Sequence, residues 1–175
     1  MNNPLLQRIL LHTYRKSDFY RALDAVQEYL EHAFYNTDDT DDTHHTERLV
    51  RHAESQGDVL VAERLKEWGE PVLSVFTREN LYKKLKDLKE EFEGLPEIVL
   101  YAPVLFGKEE TETIGAWCRE NLDRNIVLSM HVEPSVVGGC AFVWNGTYYD
   151  FSLDYFWEKK KGEIAHVIRS YDVRP

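Results

Sequence analysis

The stretch Val132-Glu133-Pro134-Ser135-Val136-Val137-Gly138-Gly139-Cys140-Ala141-Phe142-Val143-Trp144-Asn145-Gly146-Thr147-Tyr148-Tyr149-Asp150-Phe151-Ser152-Leu153 decides the reading of the fold. A strand end leads into a Pro-Ser turn and a double glycine, then into two apolar and aromatic runs on either side of Asn145-Gly146. Both central residues of a type I′ turn need positive φ, which Asn and Gly tolerate best, so the dipeptide predicts a tight hairpin. A two-residue loop also sets the register. Trp144 should face Thr147, Phe142 should face Tyr149 and Cys140 should face Phe151, which makes one face aromatic. Ala141, Val143, Tyr148 and Asp150 share the other.

Upstream of this hairpin the pattern is still of mixed type. Glu97 to Leu105 is rich in β-formers, and Pro103 should end its ladder because it has no N–H to donate. Lys108 to Leu122 reads as a helix through Ile114, Trp117, Cys118 and Leu122. Asn125 to Val132 alternates Ile126, Leu128, Met130 and Val132 against Val127, Ser129 and His131, as a strand does. After the hairpin, Ser152 or Asp150 can accept backbone N–H bonds at a helix start that carries Tyr155, Phe156 and Trp157 ahead of Lys159-Lys160-Lys161. Gly162 is expected to break that helix, with Ile164, Val167, Ile168 and Tyr171 on a last short one.

Before Pro96 the periodicity is helical throughout. Pro4 to Tyr14 puts Leu5, Ile9, Leu6 and Leu10 toward one face, and Pro4 suits a first helical turn. Ser17-Asp18 is the expected cap of a helix running to about Tyr35, striped by Phe19, Leu23, Val26, Leu30 and Phe34. Leu49, Ala53, Val61, Leu65 and Trp68 continue at helical spacing across a break at Gln56-Gly57-Asp58, until Gly69 and Pro71 end the run. Thr77 is the expected cap of a helix striped by Leu81, Leu85, Leu88 and Phe92, which Gly94 and Pro96 stop. The fold class expected is α+β: residues 1–96 as an N-terminal helical bundle and residues 97–175 as a small α/β domain with a β-hairpin.

Composition narrows the function classes. The 175-residue chain has 21 Lys and Arg against 31 Asp and Glu, a formal charge of -10. Such a surface disfavours nucleic acid and anionic lipid, whose binding rests on Lys and Arg displacing counterions. Cys118 and Cys140 have no close pairing motif, which points to free thiols in a reducing compartment. No apolar run is long enough to cross a membrane, so a cytoplasmic protein is expected, membrane-associated only through partners. Asn36 to His45 is an acidic loop with no apolar residue; an EF-hand needs glycine sixth and glutamate twelfth, and no frame supplies them. His12, His32, His52, His131 and His166 are scattered. No spacing places a base beside Ser152 or a carboxylate beside His131, so no catalytic, cofactor-binding or metal-binding residue is expected. The enzymatic alternative is a small metal-dependent hydrolase using His44, His45 and the neighbouring aspartates, or a thiol enzyme using Cys140 with His131.

Two motifs in register carry a family resemblance. Glu133-Pro134-Ser135-Val136-Val137-Gly138-Gly139, followed without a gap by a strand, a turn, a strand and Asp150-Phe151-Ser152-Leu153, resembles the carboxy-terminal signature of the δ subunit of F-type ATP synthases and its mitochondrial relative, the oligomycin-sensitivity-conferring protein. The match covers roughly residues 97–160. Two positions depart from it: Asn145-Gly146 stands where the family has a Gly-Asp turn, and Phe151 stands where it has glycine. Tyr20-Arg21-Ala22-Leu23 is a faint echo of the family's amino-terminal helix. The resemblance implies a non-catalytic peripheral-stalk subunit without cofactors. Its bundle would hold amino-terminal helices of the catalytic head's α subunits, and its carboxy-terminal domain would meet the carboxy-terminal helix of subunit b. Glu133, Pro134, Gly138, Gly139, Asp150 and Ser152 would be structural motif residues, and Leu5, Ile9, Tyr155, Phe156 and Trp157 candidate partner contacts. The isolated protein is expected to be monomeric. A free-standing adaptor serving another complex is the alternative.

Overall fold

A computed structural model describes residues 3–36 and 45–171. The elements in chain order are α1 (Pro4–His12), α2 (Lys16–Asn36), α3 (His45–Ser55), α4 (Val59–Trp68), α5 (Glu70–Leu73), α6 (Leu81–Glu93), β1 (Glu97–Ala102), α7 (Lys108–Asn121), β2 (Val127–Val132), β3 (Gly139–Trp144), β4 (Thr147–Ser152) and α8 (Leu153–Tyr171). Helix and sheet are thus mixed, as an α+β reading requires. The chain forms two compact units, one of residues 1–96 with 111–127 and the other of residues 97–110 with 128–175. The chain leaves the first unit after Pro96, where the composition changes, but a contiguous division there misses the return of Thr111–Val127 to that unit.

The first unit is built on the stripes that periodicity predicts. Phe19, Leu23, Val26 and Leu30 of α2 are buried, as are Leu49 and Ala53 of α3, Val61, Leu65 and Trp68 of α4, and Leu81, Leu85, Leu88 and Phe92 of α6. Phe19 and Phe92 stack with centroids 3.6 Å apart at the middle of this core. Helix α1 starts at Pro4 as read from sequence, while the starts of α2 and α6 differ from expectation. Asn3 caps α1, its Oδ1 accepting from the backbone N–H groups of Leu5 and Leu6. Helix α2 begins at Lys16, so Ser17 lies in its first turn and is not its cap. Helix α6 begins at Leu81, and Thr77 opens the preceding turn, donating its N–H to Asn80 Oδ1. The break at Gly57 is real: its φ is +77°.

Polar side chains invisible to periodicity tie this unit together. Arg64, on α4, is nearly buried, donates to the His12 carbonyl and Glu67, and has Asp18 and Glu112 each 3.8 Å away. Arg119 of α7 donates to the carbonyls of Leu10, Thr13 (2.7 Å) and Ile126 (3.0 Å), while its guanidinium lies 4.2 Å above the Tyr14 ring. Buried carbonyls at helix ends need such donors, because an unpaired one costs the full desolvation penalty. The buried face of α7 is accordingly Thr111, Gly115 and Cys118, and Trp117 and Leu122 are exposed, against the stripe read from sequence. Gly115 seats the Tyr14 ring; a Cβ there would lie 2.7 Å from Tyr14 Cγ.

The second unit is organised by a four-stranded sheet in the order β2-β1-β3-β4. β1 and β2 run parallel, since Val127 N–H bonds to the Pro96 carbonyl and Glu133 N–H to the Ala102 carbonyl, both strands advancing together. β1 and β3 are antiparallel, with Leu100 opposite Phe142. β3 and β4 pair in the register that the Asn-Gly turn predicts: Trp144 with Thr147, Phe142 with Tyr149, Cys140 with Phe151. Asn145 and Gly146 have φ of 50° and 72°. β1 stops before Pro103 and buries Ile98, Leu100 and Ala102 in alternation. β2 departs from alternation: Val127 and Leu128 are buried while His131 and Val132 are exposed, and His131 stacks on Tyr101 at 5.5 Å. Gly162 does not break the last helix. α8 is continuous over 19 residues, about 28 Å at 1.5 Å per residue.

Candidate functional site

The double glycine and the Asp150-x-Ser152 motif meet at one joint, where β4 ends and α8 begins, while Glu133 to Ser135 form a turn that precedes it. Gly138 and Gly139 have φ of 68° and 75°, a region open to glycine at little cost. Space makes the demand stricter. A Cβ on Gly139 would lie 3.2 Å from the Phe151 carbonyl carbon and closer still to its oxygen, and one on Gly138 would lie 2.5 Å from Leu153 Cδ1. The chain closes on itself here, Leu153 N–H bonding to the carbonyls of Val137 and Gly138. Two motifs separated in sequence therefore stay in register because each fills the space the other leaves.

The polar motif residues are satisfied by partners close in sequence. Asp150 Oδ1 accepts from the Ser152 N–H at 2.8 Å, and Ser152 Oγ, buried, accepts from the Tyr155 N–H at 3.2 Å. Ser152 is thus the N-cap of α8, the role expected of the Asp-x-Ser pair. Glu133 Oε1 accepts from both the N–H (3.2 Å) and the hydroxyl (2.7 Å) of Ser135. Hydrogen bonding from Ser152 holds the Asp150 carboxyl below its ordinary range, and bonding from Ser135 does the same for Glu133. Both are stably ionised turn devices. Pro134 lies in the turn between β2 and the double glycine. Phe151, where the family has glycine, stacks on Phe142 with centroids 5.7 Å apart and leaves half its surface exposed.

What the joint launches is a helix with little cover. Leu153, Tyr155, Phe156, Trp157, Val167 and Ile168 are all exposed, Trp157 by 55% and Ile168 by 62%, and Ile164 is half-buried. At 100° per residue Phe156, Val167, Leu153, Ile164, Trp157 and Ile168 fall within one sector of roughly 120°, which is an apolar stripe. Lys160 projects in the middle of that sector and Lys161 at its edge; they pair along the helix with Glu163 and Glu158. The most exposed aromatics of the hairpin are Tyr148, Tyr149 and Phe151, all on β4. Large exposed aromatics are thus concentrated on this strand and this helix, with Tyr148 on the sheet face opposite Tyr149 and Phe151, and with Tyr82 and Trp117 exposed elsewhere.

Of the candidate contacts, Phe156 and Trp157 lie in the α8 stripe, Tyr155 is exposed on the opposite side of that helix, Leu5 is half-buried, and Ile9 is fully buried in the bundle core. Ile9 is therefore a core residue, because α1 turns Leu6, Ile9 and Leu10 inward. Thr37–His44, which holds most of the acidic loop, lies outside the described residues; among the described ones no group of three or more His, Cys, Asp or Glu is placed to hold a metal ion. Burial pushes the thiols of Cys118 and Cys140 up, away from the thiolate a nucleophile needs. Among the described residues no helix is long and apolar enough to cross a membrane. No family model matches the chain, and no curated protein matches it.

Proposed function

We propose that this chain is a connector subunit, which works by holding partner helices and performs no chemistry of its own. Within that class we assign it the part of a δ-type subunit in the peripheral stalk of an F-type ATP synthase, linking the catalytic head to subunit b while protons drive ATP synthesis. The observation that supports the reading is the joint itself: Val137 to Gly139 of the first stretch of the resemblance pack closely against Phe151 to Leu153 of the second, and an exposed helix starts there. A helical bundle followed by a small α/β domain is the arrangement that family would require. The physics of the role agrees. A stator must resist torque without reacting, so it needs broad helix-on-helix contacts and stiff turns. It would sit in the cytoplasm, at the inner membrane only through the complex.

Titration calorimetry with two peptides from the same source tests this: one from the amino terminus of the ATP synthase α subunit and one from the carboxy end of subunit b. Saturable binding of either is expected, with the subunit b peptide weakened by Trp157→Ala. Failure of both on folded protein sinks the assignment, and absence of ATP synthase genes from the source genome would favour an adaptor for another complex.

A further inference from the structure

We infer that the bundle unit carries a docking cleft for an acidic, amphipathic peptide segment of a partner protein, lined by Arg8, Leu11, Tyr14, Arg119 and Arg124. This inference does not depend on the stator reading. The cleft has a volume of about 460 Å³, and three guanidinium groups reach it while no carboxylate does. That is unexpected in a chain with ten more acidic than basic side chains, 31 against 21. Several other surface cations are paired locally, as Arg21 is with Asp58, Lys66 with Glu54 and Lys89 with Asp24. Arg119 is committed to three carbonyls and the Tyr14 ring, and so fixes one positive charge in the wall. Arg8 and Arg124 are exposed, and neither makes an ion pair or hydrogen bond among the described residues. Two free forks beside a fixed charge repel one another and are relieved by carboxylates, which they can hold bidentately.

The apolar part of the cleft selects among anions. Leu11 is 67% exposed at its edge, and Leu10 and Pro4 also line it. A small inorganic anion would satisfy the guanidinium groups and leave Leu11 in water. A helical segment with carboxylates one turn apart and an apolar residue between them covers both. Nucleic acid would meet the guanidinium groups too, but its phosphate backbone would leave Leu11 in water, and its higher charge density would be repelled more strongly by this acidic chain than a peptide with a few carboxylates.

Fluorescence anisotropy on the full chain at low salt tests the inference. The probe is a labelled synthetic helix of about 18 residues with Glu and Leu on one face, and its counterpart has every Glu replaced by Gln. Saturable binding of the acidic peptide alone is expected, weakened about tenfold, or about 1.4 kcal/mol, by Arg8→Gln with Arg124→Gln, a modest loss because both ion pairs lie at an exposed rim. The charge-matched control Lys83→Gln with Lys86→Gln, on the exposed face of α6, should bind as the parent does, and thermal melts should show all variants folded. Absence of saturable binding, equal binding of the Gln peptide, or an equal loss in the control overturns the proposal. So does a result in which inorganic phosphate or a single-stranded oligonucleotide binds at Arg8 and Arg124 and the peptide does not.

Discussion

Replacing Gly139 with alanine separates two costs that the joint combines. The first is conformational: at φ of 75° an L-residue is strained by about 1–2 kcal/mol. The second is steric. The new Cβ would press on the Phe151 carbonyl and approach Ser152 Cα to 3.3 Å, both backbone atoms of a paired strand that cannot rotate away. Overpacking of this kind costs about 1–3 kcal/mol, so the total is about 2–5 kcal/mol. Gly146→Ala supplies the control. It has nearly the same φ, 72°, and nothing within 4 Å of its Cβ, so only the conformational part applies. Gly138→Ala should fall between them, because its neighbour is the end of the Leu153 side chain, which can move. Native-state hydrogen exchange at Phe142 and Val143, in the inner strand β3, reads the opening free energy of this unit directly. The order Gly139 over Gly138 over Gly146 is expected. Equal losses at Gly139 and Gly146 would refute the claim that close approach of the two motifs, rather than turn conformation, makes the double glycine necessary.

Gly115→Ala sets helix propensity against space. An interior helical glycine gains about 0.5–1 kcal/mol on becoming alanine, but the Cβ would press on Tyr14, costing about 1–3 kcal/mol, so a lower melting temperature is expected in thermal denaturation. Ser152→Ala removes the α8 cap and should cost about 1 kcal/mol, seen as faster amide exchange over the first turn of α8 and restored by Ser152→Thr. Asp150, whose carboxyl is held low by Ser152, contributes stability that is present above its ordinary unfolded value and lost as pH falls through the lower folded value. Protection of the Ser152 and Tyr155 amides should therefore drop on acidification through that range, and Asp150→Asn should flatten the profile measured by NMR. Cys118, buried, should react with a thiol reagent only as the bundle opens, so its alkylation rate should rise with denaturant in step with unfolding.

The hairpin was legible because its information is local. Asn145-Gly146 fixes a turn, the turn fixes a register, and side-chain alternation follows from it. The amphipathic stripes of α2, α3, α4 and α6 were legible for a related reason, since several residues at one spacing outweigh any single exception. Where few residues set the pattern the reading failed. Trp117 and Leu122 look like the core face of α7, yet Gly115 and the fixed Arg119 turn that helix toward Tyr14. Gly162 looks like a breaker, yet one glycine costs a helix only about 1 kcal/mol and the residues on either side continue it.

What the sequence determined by itself was the joint: its turn, its cap and the spacing of its glycines, all set by backbone conformation and short-range hydrogen bonds. What only the tertiary structure decided was exposure. Ile9 and Phe156 are equally apolar in the sequence, but α1 is enclosed by neighbouring helices and α8 leaves its stripe in water. The same holds for Arg64, Arg119, Arg8 and Arg124. Arg64 became a buried tether and Arg119 a half-buried one, while the other two became free charges at a cleft, because burial and electrostatic pairing depend on which distant segments arrive beside a side chain.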